Sequence, residues 1–360
     1  MLRKLSFAIS LLFIGLMVLQ NCKSLQSVAE NVNFQPDQVP YQQLSDYAFF
    51  ADLPAQHTNA GVLPYDLITP LFTDYAHKAR FVWMPDSVSA SISADGVLQF
   101  PDNTVLIKTF YYPTDFQHAN EDHQLVETRL LMKVNQKWQA FTYVWDKDGK
   151  DATLNIVGDF KAVHWKDLQG VEQEIEYVVP NKNQCKSCHN SKNSLQPIGP
   201  KVKNLNKDFL YANGEQKNQL KKWQEQGFLQ HFETTTPPIA DWENAEQYSL
   251  EERALAYLEI NCGHCHQPDG SAHTTGLYLT TDQKEKGKLG FCKTPVAAGK
   301  GSGGLDYGIV PGQPDSSFLL FRMKSDDPGI MMPELGRVIP HKEGIQLVRD
   351  WIASLNGNCD

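Results

Sequence analysis

Short apolar and β-branched runs recur between turn residues from about residue 79 to residue 180, the spacing of strands in a half-buried sheet. Asp95-Gly96 separates the run 91–93 from 97–100, and residues 104–112 form a β-rich run closed by Pro113. Residues 125–134 and 138–145 flank a short Asn135-Gln136-Lys137 connection, a hairpin candidate, and Asp148-Gly149 marks another turn. A last run, 171–179, stops at Pro180. This pattern predicts an all-β domain, sandwich-like or a small barrel. Its aromatic residues Trp83, Tyr111, Trp138, Tyr143 and Trp145 read as core.

Further on, the period lengthens to that of helices. A Gly/Pro-bearing loop at 197–200 precedes a helical stretch near 215–226. Ser249 and Glu252 fit a capping box. Leu250, Ala254, Leu255, Tyr257, Leu258 and Ile260 then give an apolar helix face leading into Cys262. Residues 316–323 read as another helix, and residues 342–355, with Ile345, Val348, Ile352 and Leu355 at helical spacing, as a third. No internal repeat is present.

The N-terminus reads as a targeting segment: Arg3 and Lys4, then an apolar stretch over 5–19 that is short for a membrane span, then Cys22. It resembles a bacterial lipoprotein signal in which Cys22 becomes the lipidated first residue, although Gln20 and Asn21 stand where small residues are usual. An ordinary cleaved signal or an uncleaved anchor are the alternatives. All three export the chain, to the periplasm or to the periplasmic side of a membrane that holds the lipid anchor. Residues 23–44 are expected to be a tether. The net charge of −9 among 360 residues argues against a nucleic-acid partner, which needs clustered Lys and Arg.

Six Cys remain. Four fall in Cys185-Lys186-Ser187-Cys188-His189 and Cys262-Gly263-His264-Cys265-His266. Cys-x-x-Cys-His is the c-type haem attachment pattern. Two thiols so spaced reach the two vinyl groups of one haem, and the following His is placed to bind the iron. Zinc or a redox dithiol would use the same Cys, but neither requires a His directly after each pair. Two haem c groups are therefore the expected cofactors. In an oxidising compartment Cys292 and Cys359 are expected to pair; two free thiols are the alternative.

For the iron at His266, Met332, just before Pro333, sits where domains that this part resembles place the second ligand, with adjacent Met331 next; its loop position argues against a core Met. The iron at His189 has no such partner nearby. Met84, Met132, His77, His164 and His231 are candidates, and a vacant position is also open. The expected organisation is multi-domain α+β: a signal over 1–22, a tether over 23–44, a β-rich domain over 45–180, a first haem-binding segment over 181–242, and a mainly α, class I-like cytochrome c domain over 243–360.

Taken together, several stretches resemble a family of bacterial diheme c-type cytochromes commonly encoded beside a parallel β-helix repeat protein. They include Tyr65-Asp-Leu-Ile-Thr-Pro-Leu-Phe-Thr-Asp-Tyr75, Lys78-Ala-Arg-Phe-Val-Trp83, Glu127-Thr-Arg-Leu-Leu131 and Ile198-Gly-Pro-Lys-Val-Lys-Asn-Leu-Asn206. They extend through Asn261 to His266, Val310-Pro-Gly312 and Met332-Pro-Glu-Leu-Gly-Arg337. The resemblance implies covalent haem, export, electron transfer and redox partner proteins, with the β-helix repeat protein as a further partner. It supplies no substrate. Two other readings stay open: a diheme enzyme, peroxidase-like or an oxidase subunit, with an open haem at His189; or an envelope binding module in which the β domain does the work and the haems are accessories.

Overall fold

The computed structural model describes residues 31–359 apart from 193, 234 and 297. Arg3, Lys4, the apolar stretch, Cys22 and the first part of the expected tether lie outside the described residues. The fold is mixed, with more strand than helix and the sheet in the N-terminal part.

Six strands, β1 (Val62–Tyr65), β2 (His77–Trp83), β3 (Val105–Pro113), β4 (His123–Val134), β5 (Lys137–Trp145) and β6 (Ala152–Asn155), form one antiparallel sheet. Their spatial order is the chain order. The β4–β5 turn is the two-residue Asn135-Gln136, both at positive φ, which matches the twist of the strands it joins. A small hairpin inserted between β2 and β3 turns at Asp95-Gly96, where the sequence placed it.

The sheet has two different faces. On one, Val105, Ile107, Leu130, Met132, Tyr143 and Trp145 are buried with Leu44, Tyr47 and Phe49. Residues 31–44 do not behave as a tether there. Phe34, Val39 and Tyr41 pack on the same core, and the Leu44 amide donates to the Ala152 carbonyl at 2.8 Å. The reason is apolar area: four large side chains among polar neighbours suffice to dock the segment.

After β6 come a hairpin, β7 (Asp159–Lys166) with β8 (Glu172–Val179), and three helices, α1 (Lys182–Cys188), α2 (Val202–Leu205) and α3 (Gln219–Glu225). These cover the second face in two separate clusters. At one end Val82, Met84 and Leu106 meet Val202, Leu205, Leu220 and Trp223. At the other Phe110, Tyr112 and Val126 meet Val163, Trp165, Ile175 and Tyr177 from the hairpin. The main sheet is thus one six-stranded layer, and the β7–β8 hairpin packs over one corner of it. The strand runs alone did not say that their strands would share one sheet.

The C-terminal part holds α4 (Leu250–Leu258), α5 (Phe318–Lys324) and α6 (Lys342–Ser354) around Leu258, Leu320, Val348, Trp351 and Ile352. The Ser249–Glu252 capping box forms with both of its hydrogen bonds. At Gly344 α6 presses on α4: a Cβ there would lie 2.2 Å from the Tyr257 ring. Cys292 and Cys359 Sγ are bonded, with Cα atoms 5.2 Å apart. Among the described residues no helix is long and apolar enough to cross a membrane.

Buried polar contacts join the two parts. Asp74 accepts from the backbone amides of Val338 (2.8 Å) and Ile339 (3.0 Å). Asn261 Oδ1 accepts from the Phe72 amide at 2.8 Å, and Thr69 Oγ1 donates to the Ala240 carbonyl at 2.8 Å.

Candidate cofactor site

Each Cys-x-x-Cys-His run sits on a capped helical turn. The Asn181 side chain accepts from the amide of Gln184 at 3.0 Å, and the Gln184 side chain accepts from the Asn181 amide at 2.9 Å. This reciprocal cap starts α1 directly at the first motif. Sequence reading placed no helix there, although Asn-x-x-Gln was a usable signal. The helical rise puts Cys185, Cys188 and His189 on neighbouring positions of one turn, and the His189 amide closes it on the Cys185 carbonyl at 3.0 Å. His189 Nδ1 donates to the Gln196 carbonyl at 2.8 Å, which leaves Nε2 free to accept. Burial, with Lys108 adding to it, pulls the His189 pKa down to about 3, so the ring is neutral.

The second motif follows α4 through a π-turn, Glu259–Gly263. Gly263 is required by space: a Cβ would stand 2.6 Å from the Leu279 carbonyl oxygen. The His266 amide bonds the Cys262 carbonyl at 2.9 Å, and its own carbonyl accepts from Leu279 at 2.9 Å. Burial lowers the His266 pKa to about 4 and raises Cys262 to about 12 and Cys188 to about 11. All four motif thiols are unbonded, while Cys292 and Cys359 are bonded to each other.

Each motif opens on its own cavity. The first, with a volume of about 140 Å³ and partly open to solvent, lies between α1 and the second face of the sheet. Cys185, Cys188 and His189 line it from one side; Leu106, Lys108, Phe110, Arg129 and Leu131 line it from the sheet. The second has a volume of about 430 Å³ and is lined by Cys262, Cys265, His266, Met323 and Met332. Met331 is buried but does not line it. Cys188, His264, Pro333 and Leu335 line both cavities, so the two adjoin.

None of the five residues considered as a second ligand beside His189 lines the first cavity. Met84 and Met132 are fully packed in the two sheet cores. His77 stacks near Tyr111 and Phe116, while His164 and His231 are exposed and pair with Glu174 and Glu233. Two features of this cavity escaped sequence reading. His264, an intervening residue of the second motif, lines it with a half-buried ring whose pKa burial lowers to about 4. Four cations, Lys78, Arg80, Lys108 and Arg129, also face it. For Lys78 and Arg80 the signal was the alternation of charged and apolar residues along 78–81, since alternate positions share a face.

In chemical terms each cavity offers two thiols and one imidazole along a single turn, against a mostly apolar wall. That donor set fits a covalently tethered tetrapyrrole with an axial His. Among the described residues no three His, Cys, Asp or Glu side chains converge as a metal-ion site, which disfavours a shared zinc centre. No family model, curated protein or solved structure matches the chain.

Proposed function

We propose that the chain is an exported diheme c-type cytochrome that passes electrons between partner proteins. The observation that carries this reading is the pair of adjoining cavities, each with its own Cys-x-x-Cys-His turn and a shared wall of four residues. Two haems so placed would exchange electrons with each other, as a relay requires. In this reading Cys185, Cys188, Cys262 and Cys265 carry the thioether bonds, His189 and His266 bind the irons, and Met332 is the second ligand to the iron at His266. The bound haems supply one-electron chemistry; the chain supplies ligands, burial and hydrogen bonds that set their potentials. The three C-terminal helices would then form the class I-like cytochrome c part, with lipidated Cys22 holding the protein at a membrane facing the periplasm. Redox partners, and a β-helix repeat protein by family resemblance, are the proposed interactors.

A second reading is favoured by one observation. Among the described residues no thioether and none of the expected histidines lines the first cavity, where His264 is the other histidine, so an iron held by His189 would face the sheet wall that carries Lys108 and Arg129. That is the arrangement of a diheme enzyme, peroxidase-like or an oxidase subunit.

The test is to express the full chain with a cytochrome c maturation system and measure covalent haem by intact mass and by pyridine haemochrome. Two haems per chain are expected, one lost in Cys185→Ser/Cys188→Ser and the other in Cys262→Ser/Cys265→Ser. A chain that gains no covalent mass refutes the reading. Carbon monoxide binding to one ferrous haem would favour the enzyme; binding to neither would favour the relay.

A further inference from the structure

The sheet register sets three cations side by side. Arg80 of β2 lies opposite Lys108 of β3, and Lys108 lies opposite Arg129 of β4; Lys78 is two residues along β2. Like charges directly opposite each other in a sheet are destabilising. Here they also lie between two hydrophobic clusters on the same face. Among the described residues no carboxylate lines the first cavity.

Part of this charge is balanced from behind. Arg80 pairs with Asp66 at 2.9 Å, which also takes Lys207 at 3.2 Å. Arg129 Nε donates to Glu127 at 2.9 Å. Among the described residues Lys78 donates to the carbonyls of Leu71 at 2.8 Å and Ala76 at 3.3 Å. Lys108, at the centre of the row, has no hydrogen bond or ion pair among the described residues; its Nζ lies 5.0 Å from the centroid of the Phe110 ring. Lys108 is half-buried, and a desolvated cation without a partner is costly unless an anion arrives to meet it.

We propose that the Arg80–Lys108–Arg129 row, with Lys78, is an anion receptor that takes carboxylate or small oxyanion groups inside the first cavity. Two sources share that chemistry: the acid side chains of the tetrapyrrole held by Cys185 and Cys188, and a free oxyanion from solution. The first source rests on the function proposed above; the second does not. Burial, reinforced by Arg129 and Arg80, lowers the Lys108 pKa to about 7, which is the state of a lysine waiting for a counter-charge.

The test compares the full-length wild type, Lys108→Met and Lys108→Arg, with covalent haem counted in every sample. Calorimetric titration with inorganic phosphate is the first arm. Saturable binding that weakens at least tenfold in Lys108→Met and survives in Lys108→Arg supports a receptor for free oxyanions. The second arm follows the reduction potential of each haem against pH. If phosphate does not bind, but one haem shows an acid-group step that moves to higher pH in Lys108→Met, the tetrapyrrole acids occupy the row. If both haems are attached and neither arm distinguishes wild type from Lys108→Met, the proposal is overturned. A chain without haem refutes the cofactor reading alone. Phosphate then decides the receptor, and absence of binding overturns it.

Discussion

Replacing Glu127 by Gln tests how the cationic wall is held. Glu127 is fully buried and accepts Arg129 Nε at 2.9 Å, Arg129 Nη2, and the Tyr177 hydroxyl at 2.6 Å. Gln keeps the shape but loses the charge, and its amide group turns a donor toward either the guanidinium or the phenol. Removing one partner of a buried ion pair costs about 3–5 kcal/mol, because the other charge stays behind without compensation. The cost here should reach that range, since Arg129 already faces Lys108 across the strands. For a chain of this length one kcal/mol shifts Tm by about 1.5 °C, so Glu127→Gln should melt about 4–7 °C lower by calorimetry. Arg129→Met should cost less than Glu127→Gln, because it relieves the row of one cation. The double variant should recover at least about 2 kcal/mol relative to the sum of the singles. A drop below about 1 °C in Glu127→Gln, or strict additivity in the cycle, would refute the view that Glu127 is the counter-charge of the wall.

Other outcomes follow from single contacts. The Cys292–Cys359 bond closes a loop with a sequence separation of 67, so Cys292→Ser/Cys359→Ser should lose about 4 kcal/mol by chemical denaturation; an unchanged midpoint would show that the bridge contributes nothing. Asp74, mainly through burial, has its pKa raised to about 6. The folded state therefore binds more protons than the unfolded one between about pH 4 and 6. Stability from this group should fall across that window as pH rises, by up to about 3 kcal/mol, and Asp74→Asn should flatten the profile there. Gly344→Ala must displace the Tyr257 ring and should cost about 1–3 kcal/mol despite the better helix propensity of Ala; a stabilised variant would contradict that close approach. In the proposed cytochrome, Met332→Ala should abolish the red charge-transfer band of a Met-ligated ferric haem, and Met331→Ala should leave it in place.

Much of this could be read in the chain. The turns at Asp95-Gly96 and Asn135-Gln136 carry their own backbone requirement, so the strands on either side fell where periodicity put them. The cap at Ser249 and the apolar faces of α4 and α6 are local signals of the same kind. Both Cys-x-x-Cys-His runs stand out by their spacing, although the helical turn under the first, capped by Asn181 and Gln184, was not read. What could not be read is long-range. Nothing near Lys108 in sequence says that Arg80 and Arg129 will stand beside it, because strand register belongs to the sheet and not to any strand. Nor does the second motif announce that His264 will point into the other motif's cavity. Residues 31–44 looked like a tether because their apolar side chains are few, and docking depends on where those few land.

The wall made by Cys188, His264, Pro333 and Leu335 has a consequence for dissecting the molecule. Cysteine spacing invites a cut near residue 242, giving one fragment per motif. Such a cut would strip the first cavity of His264, Pro333 and Leu335 and the second of Cys188. Neither fragment would then report the properties its site has in the whole chain, and a hybrid that borrowed one half from another protein would inherit an incomplete partition. In this molecule the unit that can be exchanged, inherited or engineered as one piece is the pair of sites together.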